Sequence, residues 1–204
     1  MGSYPFALGR AAPGDLHEVH GLVREAAEWL RTSKNTDQWA NPWPDPAGQQ
    51  EDILNDLLNG KTWLLWDGLT AAGTITIDTD EPLATGSQPV WPAHKRHELA
   101  LYVRRVVVSR SYAGLGLGAA LLDWAADVAW RDHEIMVIRI NVWTTNLELH
   151  AYYERQRFRR CTGRDRRGLA GYPAQALFER EVSQPRANNA DLFTEPAYPV
   201  GSDH

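Results

Sequence analysis

Gly114, Gly116 and Gly118 stand at two-residue spacing just past an apolar run ending at Val108. After them Leu117, Leu121, Trp124, Ala125 and Val128 fall on one face of a helix that runs to about Arg131. A helix starting there leaves its first N–H groups without intrahelical acceptors and points its positive dipole end at the same spot. Glycine lets the backbone bend sharply and lets a bulky anion come close. Strand, glycine turn and helix therefore make a pocket for a phosphate or pyrophosphate; a plain structural turn is the alternative. A dinucleotide site calls for G-x-G-x-x-G and an acidic residue about 20 residues further on. Here the spacing is G-x-G-x-G and the next strand ends in Asn141-Val142. A P-loop needs G-K-[ST], which is absent.

That next strand, Ile135–Val142, leads into W-T-T-N and then L-E-L-H-A-Y-Y-E-R-Q-R-F. Over about residues 98–160 the chain resembles the GCN5-related N-acetyltransferase (GNAT) superfamily. That family has R/Q-x-x-G-x-G/A opening a helix, then a strand, then N-x-x-[apolar]-x-x-[apolar]-Y-E-K-x-G-F. Gly116, Gly118, Asn146, Tyr153, Glu154, Arg155 and Phe158 match it. Two positions depart. Ala113 replaces the usual Arg or Gln, so one side-chain contact to a pyrophosphate is missing and nearby Arg110 is the candidate replacement. Arg157 replaces a glycine, which predicts a different turn before Phe158.

The resemblance implies an α/β fold: a mixed, mostly antiparallel sheet with splayed central strands, flanked by helices. It implies acetyl-coenzyme A as co-substrate, with no metal. The pyrophosphate would sit at Ala113, Gly114, Gly116, Gly118 and Ala119, the pantetheine arm would pair with backbone at Val106 and Val108, and Asn146 and Arg155 would complete the cofactor site. An amine attacking a thioester must lose a proton, and the departing thiolate must gain one. Tyr153 is the candidate acid, since a phenol with a reference pKa of about 10 suits a thiol leaving group better than a carboxyl does. Its alternative role is packing beneath the cofactor, with Tyr152 the exposed neighbour. Some members use a Glu on the central strand as base. Tyr102 stands there instead, and Glu98 lies further back on the same strand face. Glu98 is the candidate base, with pairing to Arg96 the alternative; His94, His97 and His150 are weaker candidates.

Other elements must place these groups. Tyr4–Arg10 reads as a first strand. Asp15 and Glu18 look like a capping box for a helix whose inner face is Leu16, Val19, Leu22, Val23, Ala26 and Leu30. Ser33–Gly48, rich in Pro and Asn, reads as loop and carries Trp39 and Trp43. With Tyr102 they are the candidate acceptor site, an aromatic wall for a flat or apolar body; pinning the loop to the core is the other reading. Gln50–Asn59 is a second helix. Lys61–Asp67 and Leu69–Thr79 form a hairpin about Asp67-Gly68. Asp80–Lys95 is a proline-containing loop, His97–Val108 a long central strand that is bulged or bent, and Ala174–Val182 the last strand. Seven arginines fall within 155–167, which would attract an anion or simply be solvated.

A chain of 204 residues suits one domain, read as 1–183, with a polar, irregular tail over 184–204 that could dock on a neighbour as readily as on its own domain. A homodimer is thus left open. The single cysteine, Cys161, allows no intrachain disulfide and suits a reducing, cytoplasmic setting. A net charge of −5 argues against nucleic acid. There is no apolar run of membrane length and no signal core. The reading is acetyl transfer from coenzyme A to the amine of a small molecule by direct attack. A protein or peptide amine is one alternative, and a non-catalytic acyl-coenzyme A sensor or partner-binding module is another.

Overall fold

The computed structural model describes residues 6–34, 36, 38–39, 42, 44–81, 83–84, 88–89, 91–161 and 174–183. Trp43, the arginine-rich run beyond Cys161 and the tail from 184 lie outside these residues. Strands β1 (Phe6–Arg10), β2 (Thr62–Asp67) and β3 (Thr70–Asp78) form an antiparallel meander, with Gly68 at φ +59 in the tight turn between β2 and β3. The proline-containing stretch after it holds a two-stranded ribbon, β4 (Leu83–Ala84) with β5 (Gln88–Pro89). The main sheet continues with β6 (Leu101–Val108), β7 (Val137–Trp143), β8 (Arg159–Arg160) and β9 (Gln175–Glu181). Its order is β1-β2-β3-β6-β7-β9-β8, and only β6 and β7 run parallel.

Helices cover both faces. On one, α3 (Leu117–His133) and α4 (Leu147–Arg155) close over Leu65, Ile75, Leu101, Ile138, Ile140 and Phe178. On the other, α1 (Leu16–Ser33) and α2 (Pro46–Leu58) bury Val19, Leu22, Val23, Ile53 and Leu57 against Leu64 and Val107. Each such side chain taken fully from water contributes about 1.5–3 kcal/mol, so these two faces fix where the sheet can open. No helix of the described residues is long and apolar enough to cross a membrane.

The helix starts differ from expectation. Asp15 is the N-cap residue of α1, as expected, but its side chain makes no capping bond to that helix; its carboxylate accepts from Ala12 N–H at 2.8 Å within a 3-10 turn begun by Pro13. Helix α2 starts at Pro46, four residues before the expected Gln50, because Asp45 accepts from Gly48 N–H at 2.8 Å and proline at the first helical position lacks only an N–H the helix does not use. The central strand is shorter than expected: residues 96–98 turn and 99–100 are irregular before β6 begins at Leu101. Arg157 takes φ +67, so the glycine-type turn before Phe158 is kept after all, with Phe158 N–H donating to Tyr153 O at 3.0 Å.

Candidate functional site

Strands β6 and β7 pair at just two positions, Leu101↔Ile138 and Tyr102↔Arg139. Beyond them each strand holds to its outer neighbour instead, β6 to β3 and β7 to β9. The inner edges of β6 and β7 therefore diverge, and the polar backbone of β6 past Tyr102 faces an opening. The opening leads to the start of α3. Gly116 is the N-cap at φ +74 and Gly114 sits at φ +87, both in the left-handed region where a side chain is strained. Gly116 has no side chain to satisfy the first N–H groups of α3, so these point outward uncapped. Glu25 on α1 fixes the approach by accepting from Arg110 N–H at 2.7 Å and from Ser109 hydroxyl at 3.2 Å.

One cavity of about 600 Å³ joins these parts, a volume usual for a small-molecule site. Its walls include Val106, Val108, Ala113, Gly114, Gly116, Gly118 and Ala119 from the central segment, Asn146, Tyr153 and Arg155 from α4 and its cap, and Trp39 from the α1–α2 connection. Asn146 is buried: its Oδ1 accepts from Leu149 N–H at 3.1 Å, capping α4, and its Nδ2 donates to Gln38 Oε1 at 2.7 Å. Lys34 bridges the same gap, 2.5 Å from Glu148. These two contacts lash the chain after α1 to the start of α4. Tyr153 is 4% exposed, edge-on to Phe158 at 5.5 Å and to Tyr152 at 5.4 Å. Burial first, and the neighbouring Tyr152 second, hold its phenol far above the usual tyrosine range.

Glu98 and Tyr102 are not among the residues around the cavity. Glu98 precedes β6, so the strand alternation that aligned it with Tyr102 does not reach it. Its carboxylate accepts from the fully buried Arg139 guanidinium, with Lys95 at 3.9 Å. Tyr102 packs on Trp91 at 6.2 Å on the sheet face away from α3, with its hydroxyl 3.4 Å from Arg139 Nη1. Arg139 also stacks on Trp91 at 4.7 Å. An unexpected buried cation thus takes both candidates as its neighbours. His94 and His97 are exposed, and His150 is buried with a ring nitrogen 2.9 Å from Trp143 O. Among the described residues no group of three or more His, Cys, Asp or Glu is placed to hold a metal ion.

Sequence reasoning missed Trp29, Lys34 and Gln38, which the cavity also touches. The guanidinium of Arg110 lies 4.0 Å over the Trp29 ring. Trp29 lies three residues past Ala26 on α1, so it extends a face already assigned to the core and carried no separate signal. Cys161 stands apart from the cavity. Burial, then Glu179, push its thiol up to about 11, so thiolate is scarce at neutral pH. It is expected to react with iodoacetamide at neutral pH on the order of a hundredfold more slowly than free cysteine. Mass spectrometry of labelling against time checks this, and labelling at the free-thiol rate contradicts it.

The model of the acetyltransferase (GNAT) family matches residues 22–158. An uncharacterized N-acetyltransferase of Bacillus subtilis (strain 168), YesJ, is 29% identical over 171 residues, covering 83% of this chain and 86% of that relative. A GNAT-family acetyltransferase structure from Listeria monocytogenes superposes with a TM-score of 0.68 at 22% identity, over 86% of this chain and 94% of that one. The PaiA N-acetyltransferase of Thermoplasma acidophilum, solved in complex with coenzyme A, superposes with a TM-score of 0.61 at 15% identity, over 86% and 98%.

Proposed function

The chain belongs to the acetyltransferase (GNAT) family, and from that membership we propose that it acetylates the amine of a small molecule by direct attack, using the cavity bordered by β6, the start of α3 and α4. Acetyl transfer dependent on acetyl-coenzyme A comes with the family. The observation that carries the finer reading is the continuity of one cavity from the uncapped turn of α3, along the open edge of β6, to Tyr153 and Trp39.

The residues fit coenzyme A. Left-handed Gly114 and Gly116 shape a cradle at a helix start, and the N–H groups of the first turn of α3 would hold the pyrophosphate. The edge of β6 at Val106 and Val108 would take the pantetheine arm as an added strand. Arg155, exposed at the end of α4, would reach a phosphate. Bound acetyl-coenzyme A supplies the thioester that the amine attacks and the thiolate that leaves. Tyr153 would give that thiolate a proton: its raised pKa keeps it protonated but makes it a weaker acid than a free phenol, so the transfer relies on its position beside the leaving sulfur. Trp39 offers a ring against the acceptor while its other contacts pack on the α1–α2 core. No base is assigned: Glu148, the one carboxylate around the cavity among the described residues, is committed to Lys34, and the amine yields its proton to solvent.

The test is thiol release from acetyl-coenzyme A across a panel of small aromatic and aliphatic amines, free amino acids and peptides with free N-termini. The reading expects saturable release with a small amine and much slower release with peptides. Release with peptides alone would move the acceptor to the protein class. Saturable binding without release for any amine would favour an acyl-coenzyme A sensor.

A further inference from the structure

We propose that Tyr152 makes up for the contact that Ala113 lacks, its phenol hydroxyl donating a hydrogen bond to the pyrophosphate of coenzyme A at the first turn of α3. This rests on the cofactor reading given above.

Ala113 reaches the cavity with a methyl group, so the loop before α3 presents no polar side chain at that position. From across the cavity, α4 supplies one. The Tyr152 hydroxyl lies so near Gly118 that a Cβ built there would stand 2.8 Å from it. Gly118 is the second residue of α3, so the hydroxyl stands beside the N–H groups that have no intrahelical acceptor. Tyr152 is half-buried and touches the cavity, and its hydroxyl has no hydrogen-bond partner among the described residues. Burial, and then Asp123, raise its pKa, so it stays a proton donor and not an anion facing an anion.

The helix explains why two adjacent tyrosines do different things. Successive side chains on an α-helix point about 100° apart. Tyr153 enters the core beside Phe158 and Phe178, while Tyr152 turns toward the start of α3. A phenol donating to a phosphate oxygen makes a charge-assisted hydrogen bond, stronger than a neutral one. The same geometry gives Gly118 a second reason to be glycine: a methyl there displaces the hydroxyl from the cradle.

The test is calorimetric titration of wild type and Tyr152→Phe with coenzyme A and, in a second arm, with S-acetylpantetheine, which lacks the pyrophosphate. Melting curves establish that the variant is folded. Tyr152→Phe is expected to weaken coenzyme A roughly tenfold or more and to leave S-acetylpantetheine unchanged. A Gly118→Ala change should weaken coenzyme A in wild type and cost less when combined with Tyr152→Phe, since the hydroxyl it displaces is already gone. Equal loss for both ligands, or no loss for coenzyme A, overturns the role of Tyr152. Loss confined to Arg110→Gln overturns it too, assigning the contact to Arg110. If wild type itself fails to bind coenzyme A, the cofactor reading falls first and this role with it.

Discussion

Tyr153→Phe is expected to lower turnover by at least about a hundredfold, the lower range of what a positioned proton donor contributes, with acetyl-coenzyme A affinity unchanged. The substitution removes one oxygen and keeps the ring against Phe158 and Tyr152. That hydroxyl has no hydrogen-bond partner among the described residues, so its loss leaves no orphaned group in the core. The melting temperature should hold or rise, which separates a chemical loss from a structural one. The pH profile gives a second readout. An ordinary phenol loses its proton near pH ~10, but burial disfavours the phenolate of Tyr153 and keeps it protonated beyond that. The group is an acid whose folded pKa is raised, so its proton is available across the whole range from neutral to about 10. The wild-type rate should therefore climb with pH as the acceptor amine deprotonates, with no fall due to Tyr153 in that range. Thiol release followed at saturating amine checks both. Turnover of Tyr153→Phe within a few-fold of wild type would remove Tyr153 from the chemistry and leave it a packing residue.

The parts of this site that could be read from the sequence are those whose physics is local. A glycine turn between strand and helix is fixed by backbone conformation, and Gly114 and Gly116 take the left-handed values such a turn needs. The Asn146–Phe158 segment forms its own cap, helix and turn. The sheet order and the divergence of β6 from β7 came through the resemblance those segments carry. What escaped depends on contacts distant in sequence. Arg139 keeps the alternation of β7, whose Ile138, Ile140 and Val142 face the α3 core, yet it is wholly buried at the point where β6 and β7 last pair. Its partners come from residues 91–102 and from Glu179. Nothing near Glu98 in the sequence announces that it answers a cation 41 residues on. The bridges Lys34–Glu148 and Gln38–Asn146 likewise join segments more than 100 residues apart. The bulge in the central strand was anticipated, but its position and its support were not, because both lie in a charged contact with α2.

That contact makes Asp56 a residue whose loss should destabilise the fold strongly. Between Thr74 and Thr76 on β3, the partner strand runs from Val107 to Arg104, one residue too many. Arg105 absorbs the excess at φ +47. The consequence shows in which core each side chain joins: Leu101 and Val103 lie in the α3 core, yet Val107, of the same parity, lies in the α1–α2 core. The bulge has flipped the strand, and that flip turns Val106 and Val108 toward the cavity. Asp56, 8% exposed on α2, holds the bulge from outside, pairing with Arg104 at 2.8 Å and with the Arg105 guanidinium. Burial opposes the charge of Arg105, and Asp56 is the leading group that offsets it. Asp56→Ala leaves the half-buried Arg105 without its ion-pair partner and Arg104 with Asp78 at 3.6 Å alone, which is expected to cost about 3 kcal/mol and to lower the melting temperature by roughly 6–12 °C. Arg105→Gly in the same chain should recover much of the loss, because glycine adopts the left-handed conformation freely and brings no charge to bury. Denaturant melts of the single and double variants decide the matter. A loss under about 1 kcal/mol for Asp56→Ala, the scale of an exposed pair, or no recovery with Arg105→Gly, would mean that the bulge stands without this contact and that the cavity owes its shape to the flanking cores alone.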